Sequence, residues 1–368
     1  MCLSPPPENL KEMKTGLTTG ACATACAKAA VMSIFERKKI KEVKIELPGG
    51  KRANFKINDC EYGKNSASAT TVKNSGDDPD VTHGALIGGK VSLNSTGEIR
   101  FLRGKGVGTV TLPGLGIKVG EPAINKVPRK MITEAVGGLL KKNGRENAGA
   151  EITIFVPEGE KLAKKTLNSR LGIKGGISII GTTGIVRPFS SASYVASIIQ
   201  AVKIASKNQC AHLVASSGGR SEKILRKQFP ALPDYAFVQY GNWIGRLLDA
   251  AEKNGIQDLT LATMIGKAVK LASGDMDTHS GKGEWNRELM AETAKKAGSD
   301  KNAAEKIKKL NMARRLEEIF PVRAGEPFYS ELLKQCRKHC RKRFGGALTL
   351  ALVSADGKIV WYPEKPDV

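Results

Sequence analysis

The chain has 368 residues, with 59 Lys and Arg against 36 Asp and Glu, a net charge of +23, and its 40% apolar content is ordinary for a globular protein. The length favours two domains over one. No run approaches the ~18 apolar residues of a membrane-spanning helix, and the charge calls for a polyanionic partner or acts as a solubilising surface.

Residues 1–10 are rich in Ser and Pro and lack the charged-then-apolar layout of a secretory signal, so a cytoplasmic protein is expected. Thr18 and Thr19 offer N-caps for a helix over residues 19–36, whose Ala, Cys, Thr and Val on nearly every face predict burial with close backbone packing. Strands are expected at 43–47, 53–57, 90–94 and 98–103. Residues 104–120 carry six glycines and read as loop and hairpin. A helix starts near Pro128, a residue tolerated in a first turn, and stops at Asn143-Gly144. This half, residues 1–155, reads as an α+β domain.

The rhythm changes in residues 156–368, just after a strand expected at 152–156. A short apolar run at 177–180 precedes Gly181-Thr182-Thr183-Gly184 and a helix at 191–206. A strand at 212–215 runs into Ser216-Ser217-Gly218-Gly219 and a helix reaching 229. Residues 236–240 lead into Gly241-Asn242 and an amphipathic helix at 244–253, and 259–263 lead into a Gly266-Lys267 helix. Strand, glycine turn and helix recur four times, which predicts an α/β domain with a doubly wound, mostly parallel sheet. Ligands of such sheets lie beyond the carboxyl ends of the strands, where these turns fall. Residues 284–344 read as mostly helical, and 347–362 as a terminal hairpin around Asp356-Gly357.

Several segments carry candidate chemistry. Asp77, Asp78 and Asp80 place three carboxylates in four positions of a basic chain. Like charges this close ask for a metal ion, a sulfonium or a ribose hydroxyl pair opposite them, although Asp and Pro also suit a solvated turn. The distal Glu of a calcium loop is absent. Gly104, Gly106 and Gly108 lack the strand–loop–helix setting of a dinucleotide fingerprint. Asn125, Lys126 and Arg129 stand at a helix start, where backbone N–H groups favour anions. The turns at 181–184 with Arg187, at 216–220, at 241–242 and at 266–267 together would line one rim with N–H donors and hydroxyls. No Gly-x-x-x-x-Gly-Lys-Ser/Thr accompanies them, which disfavours a nucleotide triphosphatase. Asp277 and His279 offer an oriented acid–base pair, a spacing that a hydrogen-bonded structural histidine also satisfies. Residues 334–343 hold six Lys and Arg and no acid. They read as a nucleic-acid patch or, more often for such a run, as one solvated face of a terminal helix, and the lack of interleaved aromatics argues against a single-strand stacking surface. Cys22 with Cys26 and Cys336 with Cys340 each share a helix face, but neither pair has the second half of a zinc site, so reduced thiols packed as small apolar groups are expected and no metal site is assigned.

The stretches Thr15-Gly16-Leu17-Thr18-Thr19-Gly20-Ala21-Cys22, Lys73 to Gly84, Pro113-Gly114-Leu115 through Pro128-Arg129, Gly176 to Pro188, and Gly266-Lys267 through Ser280 together resemble the CbiD family, the cobalt-precorrin-5B C1-methyltransferases of anaerobic cobalamin biosynthesis. Two positions depart from the family pattern: Lys126 stands where proline is usual, and Met264 where histidine is usual two residues before Gly-Lys, which argues against a base there. The resemblance implies methyl transfer from S-adenosylmethionine to ring carbon 1, linked to loss of an acetaldehyde-forming unit, with cobalt carried by the substrate. It gives the positive charge a purpose. The substrate bears many carboxylate arms, and one Lys or Arg about 4 Å from a carboxylate is worth roughly 4 kcal/mol at an effective dielectric near 20, before desolvation. On this basis Asp77, Asp78 and Asp80 are expected to face the ribose or sulfonium of the cosubstrate, with Thr182, Thr183, Gly184, Gly218 and Gly219 lining its pocket. Lys73, Arg129, Arg187 and Lys267 are expected to pair with substrate carboxylates, and Asp277 with His279 to manage a proton. A non-catalytic corrinoid carrier and a nucleic-acid-binding protein are the rival readings, and a homo-oligomer or contacts with other pathway enzymes stay open.

Overall fold

The computed structural model describes residues 12–279, 281 and 283–366. The chain divides into two compact units, one reaching to Ser190 and the other starting at Ser191. The boundary expected at 155/156 falls inside the first unit, because the following segment folds back onto it. Strand β10 (Ile173–Lys174) pairs with β8 (Thr109–Val110), and β11 (Ile185–Val186) pairs with β1 (Gly16–Leu17). The apolar run at 177–180 is not a strand of a second sheet. Ile177 and Ile179 enter the first unit's core and make single-residue bridges to Val107 and Ile124.

The first unit is built on a buried helix, α1 (Thr19–Glu36), capped by the Thr18 side chain accepting from Ala21 N. A two-stranded ribbon pairs β2 (Glu42–Glu46) with β3 (Arg52–Lys56). The main sheet takes β4 (Asp59–Tyr62), β5 (Ser66–Val72), β6 (Leu86–Asn94), β9 (Gly149–Phe155) and β7 (Ile99–Arg103) in the order β4-β5-β6-β9-β7, with only β7 and β9 parallel. Small side chains let α1 lie close on this sheet: a Cβ at Gly89 of β6 would come within 3.0 Å of Ala27 N. Helices α2 (Lys126–Lys142) and α3 (Gly159–Ala163) complete the unit.

The second unit holds a five-stranded sheet in the order β13 (Phe237–Gln239), β12 (Leu213–Ser216), β14 (Asp258–Thr263), β15 (Ala347–Val353), β16 (Ile359–Tyr362). Only the β15–β16 pair is antiparallel. Alternation along the strands separates two cores. Leu213, Ala215, Leu259, Leu261, Leu350 and Leu352 join one apolar cluster, while Val214, Ala262, Ala351 and Val353 join another, as period-two side-chain direction requires. The first cluster takes residues of α4 (Ser191–Lys207), α6 (Ile244–Lys253), α7 (Ile265–Ala272), α8 (Arg287–Lys296), α9 (Lys301–Lys308), α10 (Leu316–Ile319) and α11 (Pro327–Cys340), and the second takes Leu225 of α5 (Gly219–Gln228). Three of the four expected strand–turn–helix units therefore build this sheet, and β15 supplies its fourth parallel strand. Among the described residues no helix is long and apolar enough to cross a membrane.

Candidate functional site

In the first unit, segment 14–20 leads into α1 and is held on both sides by distant loops. On one side, Thr15 bridges Gly76, Leu17 N donates to Asn74 O at 2.8 Å, and Asp77 exchanges bonds with Lys14: Lys14 N donates to Asp77 Oδ2 at 2.6 Å and Asp77 N to Lys14 O at 3.0 Å. The backbones touch here. A Cβ on Gly16 would sit 2.0 Å from the Ser75 carbonyl carbon, and Gly76 adopts φ +64, a left-handed value suited to glycine. On the other side, Thr18 N donates to Gly184 O at 3.0 Å, Gly20 N to Ile180 O at 2.9 Å, and Thr19 Oγ1 accepts from Ile180 N at 2.9 Å. The acidic loop and the 180–186 loop thus both attach at the start of α1. Thr182 and Thr183 are exposed, Gly184 is buried and Arg187 is exposed.

The three carboxylates of the acidic loop have three different settings. Asp80 Oδ2 accepts from the ammonium of Lys73 at 2.7 Å, and Asp80 Oδ1 accepts from Thr82 N and Oγ1, each at 2.7 Å. Lys73 is only 1% exposed and also donates to Ser75 Oγ. Burial pushes the Asp80 carboxyl up, but the Lys73 ammonium and the Thr82 bonds outweigh it and hold it below its ordinary range. Asp77 is taken by Lys14. Asp78 is half-buried, and among the described residues its side chain has no hydrogen-bond partner. Burial first, then Asp80, pushes its carboxyl up against the opposing pull of Lys73.

The cationic residues expected at a substrate surface divide in the same way. Lys73 is buried in the ion pair just described. Arg129 clamps its own neighbourhood, donating to Ile124 O at 2.8 Å and Pro122 O at 3.1 Å, pairing with Glu121 at 2.9 Å, and lying over the Phe101 ring. Of the first-unit cations, Arg187 is the one expected at a substrate surface that is exposed.

In the second unit, the remaining residues stand at the carboxyl edge of the parallel sheet. Gly218 and Gly219 follow β12 and open α5, where Ser221 Oγ accepts from Gly218 N at 3.3 Å. Lys267, in the first turn of α7, donates to Asn242 Oδ1 after β13 and to Thr278 Oγ1 at 3.4 Å. Burial first, then neighbouring Lys270, lowers its pKa from 10.5 to about 8. Asp277 forms an isolated bridge with Trp243, and its Oδ1 accepts from the backbone N of His279 at 3.3 Å. His279 Nδ1 accepts from Gly281 N at 3.1 Å, so the neutral ring carries its proton on Nε2. Lys270 braces this loop by donating to the carbonyls of His279 at 2.8 Å and Gly283 at 3.0 Å. Ser280, the end of the motif read in the sequence, lies outside the described residues. The edge also holds a cavity of about 740 Å³ lined by Arg220, Arg314 and Arg315 among others. Sequence reading missed Arg314 and Arg315, because they come from a helical region whose approach to the sheet edge no local pattern reveals. Cys22, Cys26, Cys336 and Cys340 are buried, free thiols, and burial raises the Cys22 thiol to about 12.

A family model described as CbiD matches residues 7–188, and one described as CbiD, C-terminal domain, matches residues 277–364. The first ends within two residues of the boundary between the compact units. A protein of Prosthecochloris aestuarii named cobalt-precorrin-5B C(1)-methyltransferase is 44% identical over 95% of this chain and 96% of its own length. A protein of Priestia megaterium with the same name is 43% identical over 93% of each. A crystal structure described as a cobalamin biosynthesis protein (cbiD) from Archaeoglobus fulgidus is 30% identical, covering 72% of this chain and 82% of that one, with a TM-score of 0.39.

Proposed function

The chain belongs to the CbiD family, and on that premise we propose that it methylates C-1 of cobalt-precorrin-5B, with S-adenosylmethionine as donor, in cobalamin biosynthesis. The observation that carries this reading is the extent of the similarity to relatives named for that reaction, which runs through both units rather than through one shared module. The chain is a methyltransferase that works on a polyacid macrocycle bringing its own cobalt, and we place it in the cytoplasm. We read the second unit's sheet as doubly wound, with its ligand positions at the carboxyl edge.

The donor asks for an acceptor of hydroxyls or a negative group near its positive sulfur. Asp78 fits that demand: it is half-buried and, among the described residues, has no hydrogen-bond partner, whereas Asp77 and Asp80 already hold Lys14 and Lys73. We assign Asp78 to the ribose hydroxyls or sulfonium, and Thr182 and Thr183, on the loop that joins the other side of segment 14–20, to the same donor. Lys73, Asp77 and Asp80 then shape the loop, and Arg129 braces residues 121–124. Arg187 and Lys267 are assigned to substrate carboxylates, Gly218 and Gly219 to close approach of a ligand at the sheet edge, and His279, set by Asp277 through the backbone, to a proton.

The chemistry demands little of the side chains. An electron pair of the ring carbon displaces sulfur at the donor methyl, one C–C bond forms as one C–S bond breaks, and neutral S-adenosylhomocysteine leaves. The enzyme gains most by aligning the two molecules and excluding water, so no nucleophilic triad is required of it. Calorimetry with S-adenosylmethionine tests the assignment: Asp78→Asn is expected to weaken binding about tenfold, the worth of one hydrogen bond to a charged group. Unchanged affinity would remove Asp78 from the donor site. Anaerobic formation of S-adenosylhomocysteine that depends on cobalt-precorrin-5B tests the reaction itself, and no product from folded enzyme and authentic substrate would contradict it.

A further inference from the structure

We infer that the cavity beyond the carboxyl ends of β12, β14 and β15 receives carboxylate arms of the macrocycle, held by Arg220 and Arg314 and admitted past Gly266. This deepens the proposed function and rests on it. The cavity, about 740 Å³, lies within the second unit and is lined by Arg220 of α5, by Met264 and Gly266 at the start of α7, by Arg314 and Arg315 ahead of α10, and by Ala355 after β15. It opens where β12 has parallel neighbours on both sides, β13 and β14, the point at which the chain's progress across the sheet reverses and where open α/β sheets characteristically bind ligands.

The charge balance identifies the ligand class. Arg315 is paired with Glu318, Nε to Oε1 at 2.9 Å. Arg220 and Arg314, both exposed, have no ion-pair partner among the described residues. Glu317 is the other acid of the lining, and burial, then Asp356, raises its carboxyl; with Glu318 taken by Arg315, the three arginines of the lining still outnumber its two acids. Two unpaired guanidinium groups from separate segments suit a ligand with several spaced carboxylates, each able to accept a forked pair of N–H bonds. A single triphosphate would instead call for the glycine-lysine loop that the sequence lacks.

Gly266 supplies an independent observation. A Cβ built there meets nothing within 4 Å, and its backbone does not adopt a positive φ. Neither packing nor conformation requires glycine, a poor helix former, yet the residue borders the cavity. Its smallness is explained by what must pass close to it.

The test uses the full chain and absorbance titration with a cobalt corrinoid bearing free carboxylate arms, cobyrinic acid, and with its heptamethyl ester. The unmodified chain is expected to bind the acid at least tenfold more tightly than the ester. Arg220→Ala with Arg314→Ala is expected to weaken acid binding at least tenfold, and Arg220→Lys with Arg314→Lys to restore part of it. Gly266→Val is expected to weaken binding while the melting temperature stays level or rises. Acid binding by the alanine double variant equal to that of the unmodified chain would overturn the inference, as would equal binding of acid and ester. A loss of S-adenosylmethionine affinity in the double variant, with corrinoid binding intact, would also overturn it by giving the cavity to the donor's own carboxylate. Turnover of authentic substrate by the unmodified chain separates the two claims: turnover by it, with undiminished corrinoid binding by the double variant, sinks the cavity alone, whereas no turnover by it, with a tenfold binding loss in the double variant, sinks the reaction and leaves the cavity standing.

Discussion

Asp78 and Asp80 are two residues apart and do opposite things. Asp80 neutralises an ammonium that is 1% exposed, and removing one partner of a buried pair leaves an uncompensated charge, so Asp80→Ala is expected to cost about 3 kcal/mol in urea unfolding. Its lowered pKa gives the sign of the pH effect: the stabilisation is present above the ordinary carboxylate range and is lost as pH falls through the lowered, folded-state value. Asp78 is raised instead, so its charged form already opposes folding, and Asp78→Asn is expected to leave stability level or slightly higher. Equal losses in both variants would contradict this division. Lys267 gives a third sign. With its pKa lowered from 10.5 to about 8, the unfolded chain holds a proton that the folded chain lacks between those values, so stability contributed at this position rises with pH across that window. Lys267→Met should flatten the rise in unfolding experiments from pH 7 to 10, and parallel curves would contradict it. The sequence made all three residues visible. Their settings depend on Lys73 and Asn242, which folding brings alongside, and on the turn and helix that set Thr82 and Lys270 against their near neighbours.

At the scale of elements, the first unit depends on backbones that touch. Gly16 lies against Ser75 so closely that any side chain displaces the acidic loop from the start of α1. Gly16→Ala is therefore expected to lower the melting temperature and to weaken S-adenosylmethionine binding together, since the loop carries Asp78. A stable variant with normal binding would show that the contact is dispensable. Helix α1 was legible to its ends because Thr18 caps a run made mostly of small residues with no Pro, and α6 was legible from its amphipathic period. Strands β4 and β5 were not. The sequence Ser-Ala-Ser-Ala-Thr-Thr-Val of β5 lacks the large apolar residues that mark a strand, yet Ala67, Ala69 and Thr71 alternate inward beneath α1, where only small side chains fit. The break between the units was misplaced for a related reason. Ile177 and Ile179 look like a buried strand locally, and their destination, the first unit's core, is a tertiary choice.

For the whole molecule, the proposed function assigns the +23 of net charge to a small polyacid, and a chain with 5% aromatics offers the bases of a single-stranded nucleic acid little to stack on. The family was legible because its motifs are strung in order along the chain, and the parallel sheet because glycine turns follow its strands. The cavity at the sheet edge was only half legible: Arg220 and Gly266 lie in turns that announced themselves, while Arg314 reaches the edge from a helical region distant in sequence. The account as a whole is tested most directly by anaerobic incubation of the chain with cobalt-precorrin-5B and S-adenosylmethionine carrying a 13C-labelled methyl group, followed by NMR of the product. The label is expected at ring carbon 1 and nowhere else on the macrocycle; label at another carbon, or none with folded enzyme and authentic substrate, would contradict the account.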